Sequence, residues 1–177
     1  MATPATRDAV RDDLGDVFRR DYRRIVAVAG RVLGSRDEAE DVAQEVFLAF
    51  GRSSVPADEA GGWLTVAAAH TALNHLRSGR RRASREESVA VADAVVRSGV
   101  SPDVADIVVS DEERSRVRAA LAELPQKQAA ALVLRHSGLS YAEVAAALSM
   151  SPGSVGTTVR RAESVLREEL NRHASSH

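Results

Sequence analysis

Residues 140–166 hold the clearest candidate for contact with nucleic acid. A short capped helix, a tight turn at 149–151 and a second capped helix form a helix-turn-helix pattern. In that motif the second helix enters the major groove, where hydroxyl and methyl groups reach base edges and guanidinium groups anchor to phosphate. The side chains predicted to contact DNA are Ser151, Ser154, Val155, Thr157, Thr158, Arg160 and Arg161. An ordinary helical hairpin with solvated arginines is the alternative interpretation.

A second polar face is predicted on a helix from Trp63 to about Arg82. His70, Asn74 and Arg77 recur at i, i+4 and i+7 and therefore share one face, which can read bases and phosphates together. The predicted DNA-contacting set on this helix is Trp63, His70, Thr71, Asn74, Arg77, Arg80, Arg81 and Arg82. Two alternatives remain open: Trp63 occupies an apolar position and can be core, and the arginines can be a solvated helix end favoured by the helix dipole.

A third group of residues is acidic and lies on the helix predicted to run to about Phe50. Such a face suits a basic protein partner, because complementary charge sets orientation and association rate. The predicted docking set is Asp37, Glu38, Glu40, Asp41, Gln44, Glu45 and Phe47. A solvated helix face without a partner is the alternative.

The sequence offers little for catalysis. It contains no cysteine, which excludes disulfides, cysteine–zinc sites, iron–sulfur clusters and thiol nucleophiles. Neither His70 nor His75 has a helically spaced histidine or cysteine partner for a metal. No nucleophile elbow, P-loop, glycine-rich dinucleotide turn or HExxH motif occurs. We therefore expect a protein that is not an enzyme and that needs no cofactor or metal.

These residues are positioned by segments with helical periodicity, and no strand pattern occurs, so the sequence predicts an all-α fold. Helices are predicted at 8–33, 36–50, 63–82, 111–124, 126–136, 140–148 and 152–171. Residues 51–62 are predicted as a loop, with the first turn of a helix at its end as the open alternative. Gly34 is expected to end the first helix, and Pro125 is expected at a first helical position. Ser35 with Glu38, and Ser140 with Glu143, are expected to form capping boxes.

Charge and composition divide the chain of 177 residues into parts. The formal net charge of −1 arises from +1 over residues 1–83, −5 over 84–115 and +3 over 116–177. Residues 84–110 mix small apolar residues with acids and serine, which is typical of a linker. The sequence thus predicts two small helical domains, 1–83 and 114–177, joined by an acidic linker, 84–113.

Hydropathy gives no sign of a membrane protein. No apolar run approaches the roughly 20 residues that a membrane span needs. The N-terminus lacks the apolar core of a secretory signal. We expect a cytoplasmic protein without membrane insertion.

The residues resemble a known family, the extracytoplasmic-function (group IV) sigma factors of the sigma-70 family. In the front half, Arg31–Gly34 (RVLG), Asp37–Phe47 (DEAEDVAQEVF) and Leu73–Arg77 (LNHLR) are similar to conserved region 2. In the back half, Gly138–Ala145 (GLSYAEVA) is similar to region 4. The positions of His70, Asn74 and Gly156 depart from residues common in the family, and those departures bear on the promoter sequence.

The resemblance implies a role for each feature. The acidic helix would dock on the β′ subunit of core RNA polymerase, and the helix with the arginine cluster, with its preceding loop, would read and melt the −10 promoter element. The helix-turn-helix would read the −35 element, and the acidic linker would lie near the polymerase active-site cleft and RNA exit path. The β subunit of core polymerase is a further implied partner. Promoter DNA and an anti-sigma factor are the other implied partners. A stand-alone helix-turn-helix regulator remains the alternative, although the chain shows no heptad seam for a dimer.

Overall fold

A computed structural model of the protein describes residues 11–87 and 111–174. Within these two ranges the chain forms helices and no strand, which confirms the predicted all-α class. The helices are α1 (Leu14–Leu33), α2 (Arg36–Gly51), α3 (Ala60–Glu87), α4 (Asp111–Glu123), α5 (Gln126–His136), α6 (Tyr141–Ala147) and α7 (Pro152–Ala174).

The first three helices pack together around an apolar core. Ile25 of α1, Val42 and Phe50 of α2, and Leu64 and Leu73 of α3 are all fully buried. Burying each such side chain contributes about 1.5–3 kcal/mol of transfer free energy. Because the apolar sides of α2 and α3 face this core, their polar sides must face outward.

The junctions between these helices follow the predicted signals, except that the first capping box shows its serine half and that α3 starts earlier than predicted. Gly34 adopts φ 70° and donates its N–H to the Gly30 carbonyl, as expected for the C-cap of α1. The Ser35 hydroxyl accepts from the Glu38 N–H at 3.4 Å, which is the serine half of the predicted capping box. Helix α3 begins at Ala60, three residues before the predicted start, and extends to Glu87. The connecting loop is therefore 52–59.

The four helices of the back half form a second bundle, in which α7 packs against α4, α5 and α6. Pro125 is the N-cap of α5, and the predicted position inside the first turn is wrong by one residue. The Ser140–Glu143 capping box is complete, with the serine hydroxyl and the glutamate carboxylate each bonding the other residue's N–H. These bonds lower the pKa of the Glu143 carboxyl.

The two bundles contact each other mainly through α3, which packs against α4 and α5, and α1 also contacts α4. The helices also enter both ends of the predicted linker 84–113, because α3 runs to Glu87 and α4 starts at Asp111. Residues 88–110 of that linker, and 8–10 of the first predicted helix, lie outside the described residues.

Candidate functional site

The acidic face of α2 is open to solvent. Asp37, Glu38, Asp41, Gln44 and Glu45 are exposed. Glu40 is half-buried and pairs with Arg36, whose Nε lies 2.9 Å from the Glu40 carboxylate. This contact raises the pKa of Arg36. The Glu45 carboxylate lies 3.5 Å from His75 Nε2 on α3, so the acidic face borders the polar face of the next helix.

One member of the predicted docking set does not belong to this surface. Phe47 is only 4% exposed and packs its ring 4.9 Å from Phe18 and 6.3 Å from Tyr22, so the prediction that it contacts a partner is wrong. Sequence reasoning missed two apolar side chains that do reach the surface: Leu48, 60% exposed, and Phe18, 40% exposed. Leu48 follows Gln44 by four residues and so continues the acidic row, a spacing visible in the sequence.

The polar face of α3 is partly inside the molecule. Trp63 is half-buried, with its ring 5.9 Å from that of Phe50, so it packs on the core at its inner side. His70 and Thr71 are half-buried, and Asn74 is exposed. Burial lowers the pKa of His70, which keeps its imidazole neutral at neutral pH. This face therefore presents neutral hydrogen-bonding groups along its length and positive charge at its end.

The arginines at the end of that face fall into two pairs. Arg77 donates to the Leu124 carbonyl at 2.8 Å, and Arg80 donates to the Ala119 carbonyl at 2.7 Å. Arg80 also pairs with Glu123 at 2.7 Å. Arg81 and Arg82 are exposed. Two of the four predicted phosphate-binding groups are thus engaged by the C-terminal end of α4 in this arrangement.

Helix α7 presents a mixed hydroxyl and arginine face, but Val155 is not part of it. Val155 is fully buried, and Val159 and Ala162 continue the same buried stripe, so the predicted base contact by Val155 is wrong. Its i, i+4 and i+7 spacing with those two residues is the sequence signal that identifies it as core. The buried Val155 side chain anchors α7 to the core and so fixes which of its side chains face outward.

The remaining predicted residues of α7 reach the surface to different degrees. Ser151, Thr157, Arg160 and Arg161 are exposed. The half-buried hydroxyls bond within the helix start: Ser154 lies 2.8 Å from the Ser151 hydroxyl, and Thr158 donates to the Ser154 carbonyl at 2.8 Å. Ser151 is exposed, and its hydroxyl is the partner of Ser154 in this pair.

An open depression of about 420 Å³ lies beside this face. It is lined by Gln128 of α5 and by Thr157, Arg160, Arg161, Ser164 and Val165 of α7. The Gln128 Oε1 atom is buried there without a hydrogen-bond partner in the described part of the chain. Sequence reasoning missed Gln128, Ser164 and Val165, although the latter two follow Arg160 and Arg161 by four residues. Two guanidinium groups around a concave surface are suited to a phosphate backbone.

Residues 11–87 and 111–174 contain no cluster of acidic, histidine or cysteine side chains that could hold a metal ion. No helix in these ranges is long and apolar enough to cross a membrane.

Two family models match the chain, each on one bundle. Residues 17–82 match sigma-70 region 2, and residues 114–166 match sigma-70 region 4. The first match covers most of α1, all of α2 and most of α3, and the second runs from α4 into α7. The chain belongs to the sigma-70 family, in its extracytoplasmic-function (ECF) class, and is an RNA polymerase sigma factor.

Named relatives agree with this assignment. The RNA polymerase sigma factor CarQ of Myxococcus xanthus is 32% identical over 93% of this chain and 92% of its own length. The ECF RNA polymerase sigma factor SigW of Bacillus subtilis is 28% identical over 89% and 87% of the two chains. The SigE relative of Mycolicibacterium smegmatis, 31% identical, is longer, and this chain spans 62% of it.

A solved structure shares the fold. It is that of the sigma factor RpoE in complex with the anti-sigma factor NepR from Bartonella quintana, which aligns with a TM-score of 0.56 over 91% of this chain and 98% of that chain. The two sequences are 21% identical, so the likeness concerns the fold.

Proposed function

We propose that this sigma factor directs core RNA polymerase to a specific set of promoters and helps open the DNA there. The observation that carries the proposal is the pairing of two different surfaces in one chain. An exposed acidic helix face on α2 is suited to a protein, and exposed arginines and hydroxyls on α3 and α7 are suited to DNA. A stand-alone DNA-binding regulator has no need of the first surface.

The residues divide into three working sets. Asp37, Glu38, Glu40, Asp41, Gln44 and Glu45 dock on the β′ subunit, with Leu48 as an apolar contact in the same row. On the α3 side, the −10 element is bound by Trp63, His70, Thr71, Asn74, Arg77, Arg80, Arg81 and Arg82. On the α7 side, the −35 element is bound by Ser151, Ser154, Thr157, Thr158, Arg160 and Arg161.

Strand opening needs binding energy because unstacking costs a few kcal/mol per base step. Single-stranded bases stacked on an aromatic ring contribute about 1–3 kcal/mol each, and the half-buried Trp63 is the ring proposed for this role. The chain supplies no turnover of its own in this scheme. Polymerase performs the chemistry, and the sigma factor supplies position and strand separation.

Two further assignments rest on the family. We place the protein in the cytoplasm, where polymerase works, and we expect an anti-sigma factor that holds it inactive. The related fold of the RpoE–NepR complex supports the second expectation.

Run-off transcription tests the proposed function. Purified core polymerase with the full chain, offered a library of promoters, should yield transcripts that core polymerase alone does not produce. The absence of both core binding and initiation, together with sequence-specific DNA binding by the chain alone, would instead identify a stand-alone regulator.

A further inference from the structure

Loop 52–59, between α2 and α3, is held by guanidinium groups from α1 and the residues before it. Arg11 donates to the carbonyls of Ser53 and Val55. Arg20 donates to the Ala57 carbonyl at 3.0 Å. Farther along α1, Arg24 donates to the Gly61 carbonyl at 2.7 Å, in the first turn of α3.

Ion pairs with two carboxylates orient these guanidinium groups. Asp21 is 6% exposed, and its two oxygens accept from Arg20 Nε at 2.9 Å and from Arg24 Nη2 at 3.0 Å. Asp13 pairs with Arg11 through two bonds of 2.8 and 2.7 Å, which lower the pKa of the Asp13 carboxyl. Since a buried carboxylate is costly unless paired, Asp21 fixes both of its arginines in the orientation that the loop requires.

The loop in turn fixes the start of α3. The Trp63 N–H donates to the Glu59 carbonyl at 3.2 Å, and the Thr65 hydroxyl donates to the Gly61 carbonyl at 2.8 Å. On the opposite side, the Arg11 guanidinium lies 4.4 Å from the centre of the Phe50 ring, which contacts Trp63. The position of Trp63 therefore depends on contacts made by Arg24 of α1 and by Arg11, which precedes α1.

We propose that Asp21, Arg20 and Arg24 are positioning residues for −10 recognition, since they set the shape of loop 52–59 and the first turn of α3 before DNA arrives. This inference rests on the proposed function. Its physical basis is preorganisation: a surface that must capture an unpaired base binds better when the loop is already ordered. The two arginines act through the backbone carbonyls they bind and not as phosphate ligands.

Two neighbouring glycines provide a matched pair of variants. A Cβ at Gly61 would lie 2.7 Å from Arg24 Nη2, whereas a Cβ at Gly62 meets nothing within 4 Å. Gly61→Ala therefore displaces the end of the Arg24 side chain from its carbonyl. Gly62→Ala makes the same gain in helix propensity without touching the network. Because alanine favours the helix at both positions, failure to fold is not the expected result of either change.

Asp21→Asn is the second variant. It keeps the shape of the side chain but removes the charge that aims both arginines. If it fails to fold, the glycine pair still tests the proposal.

The experiment uses the full chain assembled with core polymerase and measures initiation on promoters changed at −10 or at −35. Gly61→Ala should lower discrimination between correct and altered −10 sequences by about fivefold, the equivalent of one hydrogen bond. Discrimination at −35 and affinity for core polymerase should equal those of Gly62→Ala. Emission from Trp63, the single tryptophan of the chain, should shift in Gly61→Ala and not in Gly62→Ala.

Equal −10 discrimination in the two glycine variants would overturn the proposal. A parallel loss of −10 discrimination, −35 discrimination and core affinity would also overturn it, because that pattern reports general destabilisation. If the unaltered chain initiates on no promoter, the proposed function is wrong, and the proposed role of this network in −10 recognition is wrong as well. The tryptophan emission would then report only whether the network orders α3.

Discussion

At the residue scale, the chemistry of the α3 face depends on the protonation of His70. This side chain of α3 is half-buried, and burial lowers the pKa of its imidazole. The neutral ring can both donate and accept hydrogen bonds, whereas the protonated ring can only donate. The unfolded chain therefore binds this proton more readily than the folded chain does.

The sign of the effect on stability follows from that difference. Because the folded-state pKa lies below the ordinary value of 6.5, the free energy of unfolding should decrease as the pH falls below 6.5. The variant His70→Gln, which cannot take up the proton, should show a smaller decrease over the same range. Urea unfolding followed by helical circular dichroism at several pH values measures both. An identical decrease in the variant would show that His70 is not its source.

The residues that sequence reasoning misplaced were misplaced for one reason. Val155 and Phe47 sit beside predicted contact residues in the chain, but their helical spacing assigns them to buried stripes. The methyl groups of Val155 suggested a base contact, and the family resemblance suggested a docking role for Phe47. Periodicity correctly predicts burial in both cases. Leu48 shows the converse: it is apolar but exposed, and its spacing places it in the same row as Gln44.

At the element scale, capping and periodicity predicted most of the fold. The bounds of α5 and the complete cap of α6 agree with the sequence because they depend on residues within one turn. The start of α3 was left open between loop and helix because Ala60, Gly61 and Gly62 carry no strong helix signal of their own. The Gly61 carbonyl in that turn accepts from Thr65, one turn further along α3, and from Arg24 on α1. The bond from Arg24 comes from 37 positions away and carries no local sequence signal.

The acidic face of α2 supports a prediction on polymerase binding. Glu45→Arg should weaken affinity for core polymerase by about tenfold or more, because it reverses charge in the docking row. Stability should stay within about 0.5 kcal/mol of the unaltered chain, since Glu45 is exposed. The affinity is measured by titrating labelled core polymerase with each variant. Glu168→Arg on α7 is the control, because it makes the same change in charge away from the docking row. Equal affinity in the two variants would exclude Glu45 from the docking surface.

The arginines of α7 support a prediction on DNA binding. Replacing Arg160 and Arg161 by alanine should weaken binding to −35 DNA and lower the slope of log K against log salt by about 1.8, or about 0.9 per lost phosphate contact. The matched control removes two charges from the far end of the same helix, Arg167→Ala with Arg172→Ala. A slope that changes equally in both double variants would show that general charge, and not contact at the depression, governs binding.

At the scale of the whole molecule, the near-neutral net charge of −1 conceals surfaces of opposite sign, and the packing of the two bundles brings some of them together. Arg77 and Arg80 of α3 bind the carbonyl end of α4, where the helix dipole favours positive charge. The sequence could not predict these bonds, because backbone carbonyls about 40–50 positions away carry no side-chain signal. In this arrangement, two groups proposed to bind the −10 element face protein instead.

This packing predicts how the free protein should respond to Glu123→Arg. The change replaces the attraction between Glu123 and Arg80 with repulsion at the same place, which should loosen the contact between α3 and α4. The pair is largely exposed, so each bond contributes modestly, about 0–1 kcal/mol, and a partial separation is expected. The variant alone, without polymerase, should bind single-stranded −10 DNA more tightly than the control Glu168→Arg, which has the same net charge.

The separation can be measured directly, since the chain has no cysteine to interfere with labelling. Dyes attached through Ala27→Cys on α1 and Ala142→Cys on α6, both exposed positions, report the distance between the two bundles. Energy transfer should decrease in the Glu123→Arg background and remain unchanged in the Glu168→Arg background. Tighter DNA binding without a change in energy transfer would mean that the new arginine itself contacts the DNA. In that case the α3–α4 contact does not limit access of DNA to Arg80. Unchanged binding with reduced transfer would instead remove Arg77 and Arg80 from the set that contacts the −10 strand.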